Sequence, residues 1–395
     1  MKDLLRLFLI FLKIGATAFG GNIALVAVVR KELCQRRKLL PDEKLLDMIT
    51  IGNILPGPLA TNVVMACGYL IAGVAGAIVS LVALLIPSFL LICGIAEFYL
   101  RYGELPVVAK IFSGLLPGVA AIIASTAWSL AKKHVTSAPQ IVLLVLATAG
   151  ILLLHGFFAT LLIVIVSGIA GYFFFYRKNK SAMAPAQEQA AEHSAYGPLI
   201  MLGVTAVAGL ALFLFHPGSP LLQDMRRLGL TFGGMSVTLF GGGYVFIPAI
   251  ENSVVHVHHW LSSTQFSNAI AVSQITPGPV SISAAFVGWK VAGLRGALIA
   301  TAGIFFPPAI LMVVAQQFVA KIKGSPPVEA VFLGVRPAVI GMIAASVWVI
   351  GKGAPMDWQS AAIFVLVLGI TLWREVDGAL LMLLAGMLGW LLHLG

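Results

Sequence analysis

Residues 274–283 read Gln274-Ile275-Thr276-Pro277-Gly278-Pro279-Val280-Ser281-Ile282-Ser283, inside an apolar stretch from about 266 to 287. Proline removes a backbone N–H and clashes with the preceding turn, so this triplet breaks any helix that contains it. The break recurs: Pro56-Gly57-Pro58, followed by Thr61 and Asn62, stands 221 residues earlier. Further upstream, Phe19-Gly20-Gly21 and Phe240-Gly241-Gly242 keep the same 221-residue spacing. Beyond the triplets one residue is lost and the spacing becomes 220. Gly68, Gly73 and Gly76 then match Gly288, Gly293 and Gly296, while Pro87, Pro117, Trp128 and Lys132 match Pro307, Pro337, Trp348 and Lys352. Registers that align so many Gly, Pro and Trp residues mark a duplicated chain.

Composition sets the solvent. Of 395 residues, 59% are hydrophobic and 10% charged, with a mean hydropathy of +1.00. Soluble domains carry about 25% charged residues, so this chain cannot clothe a water-facing surface. Thirteen apolar stretches approach the roughly 20 residues that a membrane helix needs: 10–29, 47–66, 70–96, 107–128, 140–155, 157–176, 197–215, 229–250, 266–287, 293–318, 328–350, 358–373 and 376–393. Strand-type alternation is absent, which excludes an outer-membrane barrel. The expected fold is an all-α polytopic membrane protein of two homologous halves with discontinuous helices at the Pro-Gly-Pro motifs. Residues 1–176 form the first repeat, 177–228 a hydrophilic linker plus one unpaired span, and 229–395 the second repeat.

Six spans plus one would turn the second half upside down, the inverted repeat common among secondary transporters. Re-entrant Pro-Gly-Pro segments would make the count even and the halves parallel. Lys/Arg counting does not decide the orientation: with thirteen spans and the N-terminus inside, eleven basic residues fall inside and twelve outside. Arg30, Lys31, Arg36, Arg37, Lys38 and Lys44 crowd one loop, whereas its counterpart, 251–265, has no Lys or Arg. Ala16-Thr17-Ala18 resembles a signal-peptidase site, but Lys13 interrupts the apolar run and the following motif recurs in the second half, so cleavage is not expected.

Charge decides the sign of a substrate. All fifteen acidic residues lie at loops or span edges, Asp47 and Glu97 nearest the interior; a cation carrier buries carboxylates at its site. Lys13, Lys110 and Arg336 enter spans, and Arg30, Lys290 and Arg295 stand at span ends as candidates along an anion pathway. Pro58 and Pro279 are placed to open new helices as their first residue. Thr61, Asn62, Ser281 and Ser283 would then lie in first turns, where free N–H groups and the helix dipole favour an anion. Gly20, Gly21, Asn22, Gly241, Gly242 and Gly243 would bring backbone close to the substrate or to a neighbouring helix. His256, His258 and His259 belong to a polar loop. Cys34, Cys67 and Cys93 have no metal spacing. No Walker A motif, catalytic constellation, metal site or cofactor motif is present.

Phe240-Gly241-Gly242-Gly243-Tyr244, Trp260-Leu261, Pro277-Gly278-Pro279 and Pro307 together resemble the chromate ion transporter family in its long, two-domain form. The first copy, Phe19 to Pro87, is a looser match, with Asn22 and Asn62 departing from the family pattern. The resemblance implies a bacterial or archaeal cytoplasmic-membrane protein that exports chromate, with sulfate as the related dianion, driven by the membrane gradient rather than ATP. From the broken helices and glycine clusters, the expected substrate-binding residues are Phe19, Gly20, Gly21, Asn22, Pro56, Gly57, Pro58, Thr61, Asn62, Phe240, Gly241, Gly242, Gly243, Pro277, Gly278, Pro279, Ser281 and Ser283. The expected partners are an oxyanion and the bilayer, with no nucleic acid and with a homodimer left open. The rival classes are a carrier of another oxyanion or small solute, and a membrane-embedded enzyme.

Overall fold

The computed structural model describes residues 2–392 apart from 19–20, 53–54, 104, 155–156, 180–195, 215–217, 239, 241–242, 317–324 and 375. Among these the chain is helical, with one isolated β-bridge. Helices α1 (Lys2–Thr17), α2 (Gly21–Val29), α3 (Asp42–Gly52), α4 (Leu59–Tyr102), α5 (Pro106–His134), α6 (Ala138–Leu153) and α7 (Phe157–Asn179) make the first copy. Helix α8 (Tyr196–Leu214) follows the linker. The second copy holds α9 (Pro220–Thr238), α10 (Phe246–Glu251), α11 (Ser263–Ile275), α12 (Ser283–Ala315), α13 (Pro326–Gly351), α14 (Trp358–Trp373) and α15 (Gly378–Leu392).

Five of the thirteen apolar stretches are not single straight spans. Helix α1 ends at Thr17 and α2 starts at Gly21, α9 ends at Thr238, and the chain turns at Pro-Gly-Pro 56–58 and 277–279. Helix α4 also reverses at Ala72 (φ −144°, ψ 29°) and Gly73 (φ 62°, ψ −153°). The same reversal occurs in α12 at Ala292 (φ −144°, ψ 27°) and Gly293 (φ 59°, ψ −146°). Only glycine adopts such a positive φ without strain, which explains the duplicated Gly73 and Gly293. Past each reversal the two limbs touch backbone to backbone, Gly68 on Gly76 and Gly288 on Gly296, where no Cβ fits.

The breaks fold the chain back on itself. Gly52, at the end of α3, lies against Leu59 and Val63 beyond the first triplet. Thr231 Oγ1 and His258 Nε2 are 3.1 Å apart, and Ser253 Oγ donates to Met235 Sδ at 3.8 Å. These pairs step inward from both sides, so α9 and residues 243–257 run antiparallel. In the first copy an ion pair joins Lys13 of α1 to Glu32, just beyond α2, at 3.4 Å. Among the described residues six helices are long and apolar enough to cross a membrane (α4, α5, α7, α8, α12 and α13), and three shorter apolar ones join them (α6, α14 and α15). The chain is a multi-pass membrane protein.

The copies exchange their last helices. Helix α13 packs on α6 and α7, and α5 packs on α14 and α15. Small residues permit this: Gly171 meets Ala330 and Gly334, while Gly114 meets Ala385 and Gly389. Without a hydrophobic drive between helices in lipid, such close approach supplies the van der Waals contact that holds them together. Helices α5 and α15 are antiparallel, because Gly118 faces Met382 and Ala385, whereas Lys110 O faces Gly389.

One charged cluster stabilises the N-terminal face. Glu32 is 7% exposed and receives Arg36 at 2.9 Å, Arg37 at 3.4 Å and Lys13 at 3.4 Å. Burial works against its ionisation, but Lys13 and the hydrogen bonds from Arg36 and Arg37 outweigh it and hold the carboxyl below its usual range. A lowered folded-state pKa contributes stability above the unfolded value, about 4.3, and loses it as pH falls through the folded value. Glu32→Gln is expected to cost about 1–2 kcal/mol at neutral pH, discounted because the cations are partly exposed. Thermal unfolding in detergent checks this, and the gap to wild type should close below about pH 4.

Candidate functional site

Each Pro-Gly-Pro triplet lies at a turn whose central glycine has a conformation closed to other residues: φ is +95° at Gly57 and +103° at Gly278. Pro58 (ψ 114°) and Pro279 (ψ 139°) are extended caps just before the helix, rather than its first residue. The reason is local. Proline fixes only its own φ, and the extended ψ turns the chain into the helix at the next residue. The Asn62 N–H then donates to Pro58 O at 3.2 Å, and the Ile282 N–H to Pro279 O at 3.0 Å.

The triplets bind across the halves. The Gly278 N–H donates to Ala18 O at 2.9 Å, beside the first Phe-Gly-Gly. Pro56 forms an antiparallel bridge with Phe240, which begins the second Phe-Gly-Gly. A Cβ on Gly57 would overlap the Pro308 ring, and one on Gly278 would stand 3.2 Å from Ser88 Oγ. Ser88 and Pro308 are themselves 220 residues apart, so the contacts repeat with the halves exchanged. Gly243 completes the junction against Val280 and Ser281. Phe19, Gly20, Gly241 and Gly242 lie outside the described residues; Gly21 and Asn22 open α2.

The polar residues divide by their partners. Thr61 Oγ1 donates to Pro58 O at 2.9 Å and Asn62 Nδ2 to Pro56 O at 2.9 Å, so both hydrogens tie down the first triplet. Ser281 and Ser283 are each 1% exposed, and neither Oγ has a partner. A buried polar atom with no hydrogen bond costs about 1–3 kcal/mol, so these hydroxyls add nothing to the stability of the turn. Among the described residues, none of those named here at the two triplets is acidic.

The three basic candidates stay away from this junction. Arg30 grips Asp42 in a fork at 3.0 and 3.1 Å, both side chains nearly half exposed. That hydrogen bonding holds the Asp42 carboxyl below its ordinary range. Lys290 and Arg295 are exposed and flank the reversal at Ala292–Gly293.

Other polar contacts between the halves were not visible in the motifs. Asn268 Nδ2 bonds Tyr99 Oη at 2.7 Å, and Trp289 Nε1 donates to Glu97 Oε2 at 2.9 Å. Near the second triplet, Tyr244 Oη donates to Gln274 Oε1 at 3.4 Å and Ser346 Oγ to Tyr244 O at 2.9 Å. Gln274, three residues before Pro277, was the available clue; its partner lies thirty residues away.

Comparison with known proteins agrees with this architecture. The family model described as chromate transporter matches residues 5–172 and 226–390, one window for each copy. The chain belongs to the chromate transporter family. It is 28% identical to the chromate transport protein of Cupriavidus metallidurans over 93% of this chain and 87% of that one. It is 29% identical to a probable chromate transport protein of Synechococcus elongatus, covering 92% and 88% of the two chains. An uncharacterized transporter of Methanocaldococcus jannaschii is 25% identical, over 98% and 94%. No solved structure matches.

Proposed function

We propose that this member of the chromate transporter family exports chromate, and sulfate as the related dianion, across the cytoplasmic membrane by alternating access. The observation that carries the reading is the exchange of the Pro-Gly-Pro turns between halves, with the unpartnered Ser281 and Ser283 hydroxyls beside one of them. Helix N-termini, backbone N–H groups and hydroxyls can bind a tetrahedral dianion without a fixed cation. Such neutral binding lets the anion leave again, as a carrier requires. Moving two charges out of a negative interior releases about 4.6 kcal/mol per 100 mV, so the potential can drive export.

The arrangement we infer is an inverted repeat. With the helix pairs α1–α2, α3–α4 (first limb), α9–α10 and α11–α12 (first limb) each entering and leaving by one face, each copy keeps four spans, and α8 makes the total nine. That odd number would preserve the inversion with the Pro-Gly-Pro segments re-entrant. The antiparallel packing of α5 on α15 supports it, since parallel halves would make those helices parallel.

This topology also separates the charges. Arg6, the basic residues from Arg30 to Lys44, Lys132, Lys133, Arg177, Lys178 and Arg374 share the N-terminal face. Arg101, Lys110, Arg226, Arg227, Lys290, Arg295 and Lys352 fall on the other. The richer face is cytoplasmic by the positive-inside rule.

Counterflow of labelled chromate and labelled sulfate in proteoliposomes under an imposed potential tests the reading. Outward chromate flux that rises with inside-negative potential, and is inhibited by sulfate, is expected. No chromate flux in the wild-type protein would sink it.

A further inference from the structure

The helices sort into two bundles, and neither is a copy. Helices α1 to α4 and α8 to α12 pack together through α4 and α12, and this bundle holds both Pro-Gly-Pro turns. Helices α5 to α7 and α13 to α15 form the other, a frame. Close glycine contacts stay inside each: Gly15 on Leu84 and Gly303 on Gly233 in the first, Gly114 on Gly389 and Gly171 on Gly334 in the frame. Each bundle therefore draws on both copies.

The first bundle docks on the frame through α10 and α11. Helix α11 packs on α5 and α15, residues 243–251 pack on α13, and Ser346 Oγ donates to Tyr244 O at 2.9 Å. Among the described residues, the close glycine contact that crosses between the bundles is Gly353 on Ser267. The first copy does not repeat this. Ser267 and Ala271 of α11 are 2% and 0% exposed, whereas their counterparts 221 residues earlier on α3, Leu46 and Thr50, are exposed, Leu46 by 50%. On the frame, Leu116 is buried, but Arg336, 220 residues later, is exposed, and so is Lys133, the counterpart of Gly353. Matching helices with unequal burial mean that α11 is docked and its twin α3 is not. The undocked partners suit each other in charge: α3 carries Glu43 and Asp47, and the frame carries Lys133 and Arg336.

We propose that the bundle of α1–α4 and α8–α12 moves as one body against the frame, docking α11 at one end of its travel and α3 at the other. In the second state Leu46 and Thr50 lie against α13 and α7, as Ser267 and Ala271 now lie against α5 and α15, and Leu46 meets Lys133. This deepens the alternating access of the proposed function and rests on it for the cargo. Both turns travel together, so the junction between them survives the motion. The undocked α3 side is cytoplasmic in the proposed topology, so this is the state that loads.

Disulfides test which surfaces move, each variant serving as its own control before and after reduction. Three pairs are made in a Cys34→Ser background; the remaining native cysteines, Cys67 and Cys93, are buried. Ser267→Cys with Gly353→Cys ties the bundle to the frame as now docked. A Cβ on Gly353 would stand 2.8 Å from Ser267 Cβ, and a disulfide prefers about 3.8 Å, so the loop after α13 must yield by about 1 Å. Leu46→Cys with Lys133→Cys captures the opposite docking. Gly168→Cys with Val331→Cys joins the two copies inside the frame, where a Cβ on Gly168 would lie 3.2 Å from Val331 Cγ1. All three are expected to oxidise in membranes, read as loss of the new thiols to a maleimide gel shift. Oxidation should cut chromate flux below about a tenth of its reduced value for the first two pairs, and leave it within about twofold for the third. Absence of the Leu46/Lys133 disulfide, full flux with the Ser267/Gly353 disulfide closed, or a block by the Gly168/Val331 disulfide overturns the moving bundle. Disulfides that form as expected in a protein whose wild type carries no chromate overturn the proposed function instead.

Discussion

Gly57→Ala is expected to reduce chromate flux at least about a hundredfold while the protein still inserts and keeps its helix content. Two costs coincide at this position. The φ of +95° is strained for any L-residue, by about 1–2 kcal/mol. The new Cβ would also run into the Pro308 ring of the other half. That ring sits within α12 and cannot move without the helix, so the first triplet must withdraw from its partner. Gly278→Ala carries a similar backbone strain, but its Cβ meets the smaller Ser88 at 3.2 Å from the hydroxyl oxygen. It should therefore retain more flux than Gly57→Ala. Vesicle flux and circular dichroism on the same preparations check both, and equal flux in wild type and Gly57→Ala would refute the argument. Pro58→Ala and Pro279→Ala are expected to lose flux by the same loosening of the turn.

Paired replacement of Ser281 and Ser283 by Ala should separate stability from function. Both hydroxyls are buried without a partner. Removing them relieves part of a penalty of about 1–3 kcal/mol each, so the double variant should unfold at an equal or higher temperature than wild type. If these hydroxyls hold the anion, its KM for chromate should rise at least about tenfold, the loss of more than about 1.4 kcal/mol of binding. Thr61→Ala and Asn62→Ala should do the reverse in kind. Their side chains tie down Pro58 O and Pro56 O, so stability falls together with flux. A Ser281→Ala, Ser283→Ala protein that is less stable and transports normally would remove both serines from the site.

Much of the design was legible in the chain. Low charge and long apolar stretches require a membrane protein, because so few charges cannot clothe a water-facing surface, and lipid in turn requires helices. The 221- and 220-residue registers revealed the duplication, and proline and glycine marked the breaks through their own backbone chemistry. The two cases of Ala-Gly reversal show the limit. Gly73 and Gly293 were matched as repeat positions, but a glycine within an apolar stretch reads equally as packing or as a turn. Only the touching of Gly68 with Gly76, and of Gly288 with Gly296, decides for the turn.

The site followed the same division. Periodicity and spacing could nominate the triplets and the residues after them, since these are local features. They could not show that Thr61 and Asn62 spend their hydrogens on the turn while Ser281 and Ser283 do not. Nor could they pair Gly57 with Pro308, or Gly278 with Ala18 and Ser88. Those partners are set by how two copies of one chain pack against each other, a non-local matter of shape that no single stretch encodes. The sequence by itself determined the solvent, the duplication and the places where helices must stop. The tertiary structure decided that each Pro-Gly-Pro turn meets the other half, where the Gly278 N–H finds Ala18 O and Gly57 packs on Pro308 away from lipid.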